Sequence, residues 1–214
     1  GVTDIHSAAF IGPNTDMGMR ASVFTRKFRT ENIKKATLQI TAKGVYAACL
    51  NGKRIGDFFL APGWSEYFSR LLYQSYDITE MLASDNELVV TVGWGWFFHR
   101  VYDQNHSDLG LCAAVILEKE DGSIQTVLTD ESWNFGDGPV IYDDFYKGET
   151  YDSRRETRIL GKAVKIPGFS KELVPTDGVK LCEHERIPAQ KLIITPAGET
   201  VIDFGQNLAG HVEF

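Results

Sequence analysis

Polar and apolar positions alternate along most of this chain. Ala36, Leu38, Ile40 and Ala42 interleave with Thr37, Gln39 and Thr41, the period-two pattern of a strand with one buried face. A similar alternation runs over residues 21–28. Residues 45–50 form a further strand, and Asn51-Gly52 follows as a two-residue hairpin turn, both residues tolerating positive φ. Residues 54–59 are then expected to return as a strand. Pro62-Gly63 breaks the pattern and places Trp64 and Tyr67 on a loop. Leu71, Tyr73 and Ser75 alternate with Leu72, Gln74 and Tyr76 as the chain becomes strand again.

Two stretches, residues 87–93 and 111–118, are apolar on both faces and so predict central strands. Asp121-Gly122 turns the second into residues 124–129. Asp77-Ile78-Thr79-Glu80 has the form of a capping box, with Met81 and Leu82 facing the core of one or two helical turns. Residues 93–110 lack a sustained period and predict a long surface loop. Residues 140–142 form a short strand, and residues 191–195 and 200–204 a last hairpin around Pro196-Ala197-Gly198. No long amphipathic helix is present. About ten to twelve strands with turn signals between them predict an all-β, jelly-roll-like antiparallel β-sandwich with an incomplete second β region. The expected organisation is an N-terminal segment at 1–20, the jelly-roll domain at 21–165, and at 166–214 a connector plus the first strands of a following β domain. Pro167, Gly168, Pro175 and Gly178 punctuate that connector.

Composition narrows the function. The chain has 214 residues, a formal net charge of −7 and no basic stripe to neutralise phosphates, which argues against a nucleic-acid partner. No apolar run approaches the ~20 residues that span a bilayer, so no membrane role is expected. Cys49, Cys112 and Cys182 are far apart and lack metal-site spacing; they predict reduced thiols, and with no signal peptide at Gly1 they point to a cytoplasmic protein.

Candidate chemistry falls in two places. Asp143, Asp144, Tyr146, Glu149, Tyr151, Asp152 and Arg154 form an acidic-aromatic cluster. On an irregular loop, carboxylates such as Asp144, Glu149 and Asp152 could ligate calcium. Aromatic faces with planar acceptors and an arginine fork also suit a sugar. The bland alternative is a solvated turn with Asp152–Arg154 or Glu149–Arg155 ion pairs. The second place is the ring-rich set Trp64, Tyr67, Trp94, Trp96, Phe97 and Phe98, suited to stacking on a sugar or to packing against a neighbouring domain. Trp133 reads as core or rim. Asp143, Glu149 and Glu66 could be considered as a glycosidase acid pair, but sequence alone cannot set the ~5–9.5 Å separation that such chemistry needs. His6, His99, His106, His184 and His211 are dispersed and show no metal-binding spacing.

Several motifs carry a family resemblance. LNGKRIGD at 50–57, LAPGWSEY at 60–67, RLLYQSYDIT at 70–79, YKGETYDSR at 146–154 and VIDFGQNLAGHVEF at 201–214 occur in one order. Together they resemble the amino-terminal accessory domain of bacterial α-L-rhamnosidases, glycoside hydrolase family 78, over roughly residues 10–214. The resemblance implies a parent enzyme that removes terminal α-L-rhamnose by inversion, with catalysis on a helical (α/α)6 barrel further along and no catalytic residue here. It implies a domain type that can bind rhamnose, in some members through calcium; no cofactor is otherwise required. A YxGExYDxR motif matches at Tyr146, Gly148, Glu149, Tyr151, Asp152 and Arg154. Where the family has a GWY-like segment, this chain has Gly93-Trp94-Gly95-Trp96, followed by an FFHRVYDQNH run that departs from the shorter pattern. In the family a second β domain begins near Thr200. The expected partners are a rhamnose-containing glycan, bound through Trp64, Trp94, Trp96, Asp144, Glu149, Asp152 and Arg154, and the downstream domains of the same chain. A purely structural buttress for the barrel is the alternative. A galactosidase-type sugar-binding jelly roll is a third reading, disfavoured by the YKGETYDSR and DFGQNLAG matches.

Overall fold

The computed structural model describes residues 3–100, 109–169 and 171–213. It separates into two compact units, Gly1–Leu181 and Cys182–Phe214. In the first unit the strands, in chain order, are β1 (Ile11–Gly12), β2 (Ser22–Arg29), β3 (Ile33–Lys43), β4 (Val45–Leu50) and β5 (Lys53–Arg54). Then come β6 (Arg70–Asp77), β7 (Asp85–Gly93), β8 (Gly110–Lys119), β9 (Ile124–Leu128) and β10 (Asn134–Asp137). The series continues with β11 (Val140–Asp144), β12 (Gly148–Tyr151), β13 (Arg158–Lys162), β14 (Val164–Lys165) and β15 (Glu172–Pro175). A short helix, α1 (Gly95–Arg100), lies between β7 and β8.

One sheet has the order β14-β1-β8-β3-β6-β15, with β9 also on β8; the other has the order β13-β10-β2-β7-β4-β5. Their facing sides enclose the main core. Ala36, Leu38, Ile40 and Ala42 point into it from β3, as their alternation predicts, and meet Phe24, Leu88, Val90, Leu111, Val115, Trp133 and Phe135. Trp133 is fully buried and donates Nε1–H to the Leu128 carbonyl at 2.9 Å. A second cluster covers the opposite side of the β8 sheet, where Cys112 and Ala114 pack with Ile5, Phe10, Tyr67, Leu71 and Phe97. Burial of both faces explains why β8 carries no polar alternation. The Asn51-Gly52 turn forms with φ of 53° and 78° and joins β4 to β5 in register.

Several expectations are corrected. The strand after Asn51-Gly52 stops at Arg54, and Phe58 and Phe59 lie outside any strand, Phe59 in a turn, where a strand was expected to extend to residue 59. The Asp77 motif makes one 3-10 turn, Thr79–Met81, and no capping box. Asp77 instead accepts from both the amide and the hydroxyl of Thr79, at 2.9 and 2.6 Å, because a β-hydroxyl two residues on competes for the same oxygen. The stretch expected as a loop opens with α1; the remainder, residues 101–108, with Asn105 and His106, lies outside the described residues. The antiparallel β-sandwich is as expected, with one parallel pairing among the described strands, β15 on β6 with Glu172 opposite Arg70. Strand β1 pairs with β8 and β14.

The second unit holds the expected last hairpin, β16 (Lys191–Ile194) and β17 (Thr200–Asp203), paired antiparallel from Lys191 opposite Asp203 to Ile194 opposite Thr200. Leu192, Ile193, Ile194, Val201 and Ile202 are exposed on it.

Candidate functional site

The acidic-aromatic cluster is a β-hairpin and not an irregular loop. Strands β11 and β12 pair antiparallel, with Asp143 opposite Glu149 and Asp144 opposite Gly148. Asp144 closes the turn between them: its Oδ1 accepts from the Tyr146 and Lys147 amides, each at 2.9 Å, and its side chain is buried. The Asp143 amide donates to the Met19 carbonyl at 2.7 Å, which fastens the hairpin to the chain entering β2. Asp143 Oδ2 accepts from the Trp94 amide at 2.7 Å. That approach requires glycine at 93, where an added Cβ would fall 2.2 Å from the same oxygen. Burial raises the proton affinity of Asp143 despite this hydrogen bond, and the neighbouring Asp144 charge adds to the rise. Glu149 is raised as well, by burial first and by the Asp143 charge second.

The aromatic residues form one continuous path. Tyr146 stacks edge-on to Phe145 at 5.4 Å between centroids, Phe145 meets Trp96 at 4.5 Å, Trp96 meets Trp64 at 6.1 Å, and Trp64 meets Tyr67 at 5.9 Å. Tyr67 continues to Phe97 at 5.3 Å. The buried end, Tyr67 and Phe97, belongs to the second core cluster. The exposed end has Trp64 at 50% and Tyr146 at 63% exposure. The Trp64 loop is held from below: buried Gln74 donates to the Pro62 carbonyl at 3.0 Å, and Ser65 Oγ donates to the Arg70 carbonyl at 2.9 Å. Trp94 is half-buried against the main core and so offers less ring surface than the spacing suggested. The Phe98 and His99 side chains lie outside the described residues.

Thus Trp64, Trp96, Asp143 and Glu149 gather around the hairpin, joined by Phe145, which the sequence reading passed over. Its position at the tip of a DDFYKG turn was the available signal. Asp152 and Arg154 instead form the ion pair of the bland alternative, Nε to Oδ1 at 2.8 Å and Nη2 to Oδ2 at 2.9 Å, and the guanidinium holds the Asp152 carboxyl below its ordinary range. A calcium ion needs several converging oxygens. Asp144 is committed to its own turn and Asp152 to Arg154, and among the described residues no group of three His, Cys, Asp or Glu side chains could hold a metal. The carboxylates as arranged do not fit calcium. Glu66 is exposed and folds onto its own turn, its Oε1 accepting from the Phe68 amide at 3.4 Å.

A further charged group was not anticipated. Asp137, 1% exposed, sits at the end of β10 opposite Arg158 of β13. It accepts from Arg155 Nη2 at 3.0 Å and from Arg158 Nη2 and Nε at 3.0 and 3.3 Å, while Arg20 Nη1 stands 3.7 Å away. Gly136 allows the close approach of β13, since a Cβ there would lie 2.0 Å from the Arg158 carbonyl oxygen. No helix among the described residues is long and apolar enough to cross a membrane.

Comparison with known proteins gives a consistent result. Residues 31–183 match the family described as alpha-L-rhamnosidase N-terminal domain. An alpha-L-rhamnosidase of Streptomyces avermitilis is 32% identical over 203 residues, covering 85% of this chain and 19% of that protein. The crystal structure of a native alpha-L-rhamnosidase from Aspergillus terreus superposes with a TM-score of 0.86 at 32% identity, over 95% of this chain and 26% of that one. The Streptomyces avermitilis alpha-L-rhamnosidase complexed with L-rhamnose gives a TM-score of 0.77 at 29% identity, over 88% of this chain and 20% of that one. The chain therefore spans about a fifth to a quarter of the length of these relatives.

Proposed function

The chain belongs to the alpha-L-rhamnosidase N-terminal domain family, and from that membership we propose that it recognises or positions a rhamnose-containing glycan without catalysing bond cleavage itself. The parent protein, on this reading, hydrolyses terminal α-L-rhamnose with residues outside this chain. The supporting observation is the ring path Trp64–Trp96–Phe145–Tyr146, exposed at both ends and half-buried at Trp96 and Phe145, beside the hairpin that carries Asp143 and Glu149. Ring faces cover the apolar side of a pyranose, and carboxylates accept from its hydroxyls. A solved relative is described in complex with L-rhamnose.

A shallow site of this kind leaves many hydroxyls to desolvate, so the expected Kd lies between about 1 mM and tens of μM. Titration of L-rhamnose into the 214-residue chain, followed by amide chemical shifts, should saturate, with Trp64→Ala weakening binding severalfold. The same titration with calcium should give an unchanged Kd, because the carboxylates do not converge on an ion. No shift at tens of mM would end the recognition reading. The chain alone should release no sugar from a rhamnoside; release would place catalysis here instead.

One observation favours docking on other domains of the same protein. Ile159 and Leu160 are exposed on β13, an edge strand, and Phe68 is exposed beside the Trp64 loop. Apolar anchors at an edge suit a domain interface. Replacing Ile159 and Leu160 by Ser should lower the melting temperature of the full-length protein and leave L-rhamnose shifts in the chain unchanged. Loss of those shifts would merge the two surfaces into one.

A further inference from the structure

The Asp137 cluster carries more positive charge than its carboxylate needs. Three guanidiniums converge on one buried aspartate, a local excess of two charges in a chain whose net charge is −7. Among the described residues no second carboxylate comes within ion-pair distance of Arg20, Arg155 or Arg158, although the Arg155 charge also acts on Asp152, which Arg154 pairs. Arg155 and Arg158 together give Asp137 three hydrogen bonds, which leaves little of its acceptor capacity unspent. Arg20 adds none. Its side chain is 47% exposed and that of Arg158 is 64% exposed, so both present outward N–H groups beside the carboxylate they surround. A pure clamp on Asp137 would be complete without Arg20.

The cluster also abuts the hairpin. Arg20 follows Met19, whose carbonyl accepts the Asp143 amide, and the Asp152 amide donates to Pro139 at the start of the same hairpin. We infer that Arg20, Arg155 and Arg158 form a subsite for an anionic oxygen group, a carboxylate or sulfate, borne on the same glycan as the sugar that the ring path engages. This rests on the recognition reading above. Guanidinium forks match the paired oxygens of both groups, and the surplus charge selects an acidic sugar over a neutral one. Asp137 anchors two of the forks, Arg155 and Arg158, while Arg158 stays largely exposed.

The test uses the 214-residue chain, with arginine Nε–Hε and backbone amide shifts as readout. Inorganic sulfate and D-glucuronate should each give saturable shifts centred on Arg20, Arg155 and Arg158, and should compete with one another; neutral D-glucose should give none. Arg20→Gln should weaken sulfate about tenfold, the scale of a lost charge-assisted contact. Its melting temperature should stay unchanged, since Arg20 makes no hydrogen bond to Asp137. Sulfate that fails to saturate at tens of mM, or that binds Arg20→Gln as tightly, overturns the subsite. Saturation by sulfate without competition from D-glucuronate overturns its assignment to a sugar. L-rhamnose is titrated in the same samples: its failure beside saturable sulfate sinks only the recognition reading, and the reverse pattern sinks only the subsite.

Discussion

Substituting Gly93 by Ala tests how the hairpin is seated. The new Cβ would lie 2.2 Å from Asp143 Oδ2 and 3.1 Å from its Cγ, so the carboxylate must move. Moving it breaks the 2.7 Å bond from the Trp94 amide. A hydrogen bond to a charged group contributes about 1.5–3 kcal/mol. Alanine offsets about 0.5–1 kcal/mol of this by restricting the unfolded chain, because Gly93 does not need positive φ. The net loss is then about 1–2 kcal/mol, or a fall in melting temperature of about 3–6 °C. Urea denaturation measures the loss, and hydrogen exchange at the Trp94 amide should quicken. In an Asp143→Ala background the clash is gone, and Gly93→Ala should be neutral or slightly stabilising. Equal cost in both backgrounds, or an unchanged Trp94 exchange rate, would refute the seating of the hairpin on Trp94.

Four further outcomes follow from the same geometry. Asp137→Ala strands three guanidiniums together and should cost about 3 kcal/mol, towards the low end for a buried pair because the arginines keep some solvent; a cost below about 1 kcal/mol in urea would contradict the clamp. Asp143 and Glu149 bind protons more tightly folded than unfolded, so their contribution is largest below the ordinary carboxylate range and is lost as pH rises through the raised values. The difference in stability between wild type and Asp143→Asn/Glu149→Gln should therefore shift in favour of the variant across that window; a flat difference curve would dismiss the effect. Burial pushes the Cys112 thiol up to about 12, so at pH 8 it should react with a thiol reagent only on unfolding, unlike the half-buried Cys49 and Cys182. Trp96→Ala should remove the link between Phe145 and Trp64 and weaken L-rhamnose severalfold; unaltered binding would move the site off the ring path.

Legibility in the sequence followed the range of the forces involved. The alternation of β3 and the Asn51-Gly52 turn are local rules, and both are realised. The two-faced apolar run of β8 correctly implied a central strand, but not that Ile5, Tyr67 and Phe97 would supply its second cover. Helix α1 was missed because GWFFHR has no polar stripe and opens with a glycine at φ 56°. The β15 pairing was missed because ELVP, flanked by proline and glycine, has the composition of a connector. Of the candidate site, Trp64 and Trp96 do come into ring contact, and Glu149 stands opposite Asp143. Asp152 and Arg154 spend themselves on each other, a local pairing that outcompetes distant ligands. The Arg20–Asp137–Arg158 group spans most of the domain in sequence, and only the meeting of β10 with β13 reveals it.

Strands β14 and β15 occupy opposite margins of one sheet, yet only six residues separate them. Five interstrand steps of about 4.8 Å make a span of about 24 Å. Seven Cα–Cα steps, from Lys165 to Glu172, reach at most about 23–25 Å when fully drawn out. A link of that reach leaves little to spare, and its first residues are moored: the Ile166 amide donates to the Phe10 carbonyl, and Lys43 Nζ donates to the Pro167 carbonyl at 2.6 Å. Shortening it by one residue would tear a margin strand loose, whereas lengthening it would merely slacken the girth. The chain thus cinches its own sheet like a belt at the last notch, fixing the sheet's width by covalent reach as well as by packing.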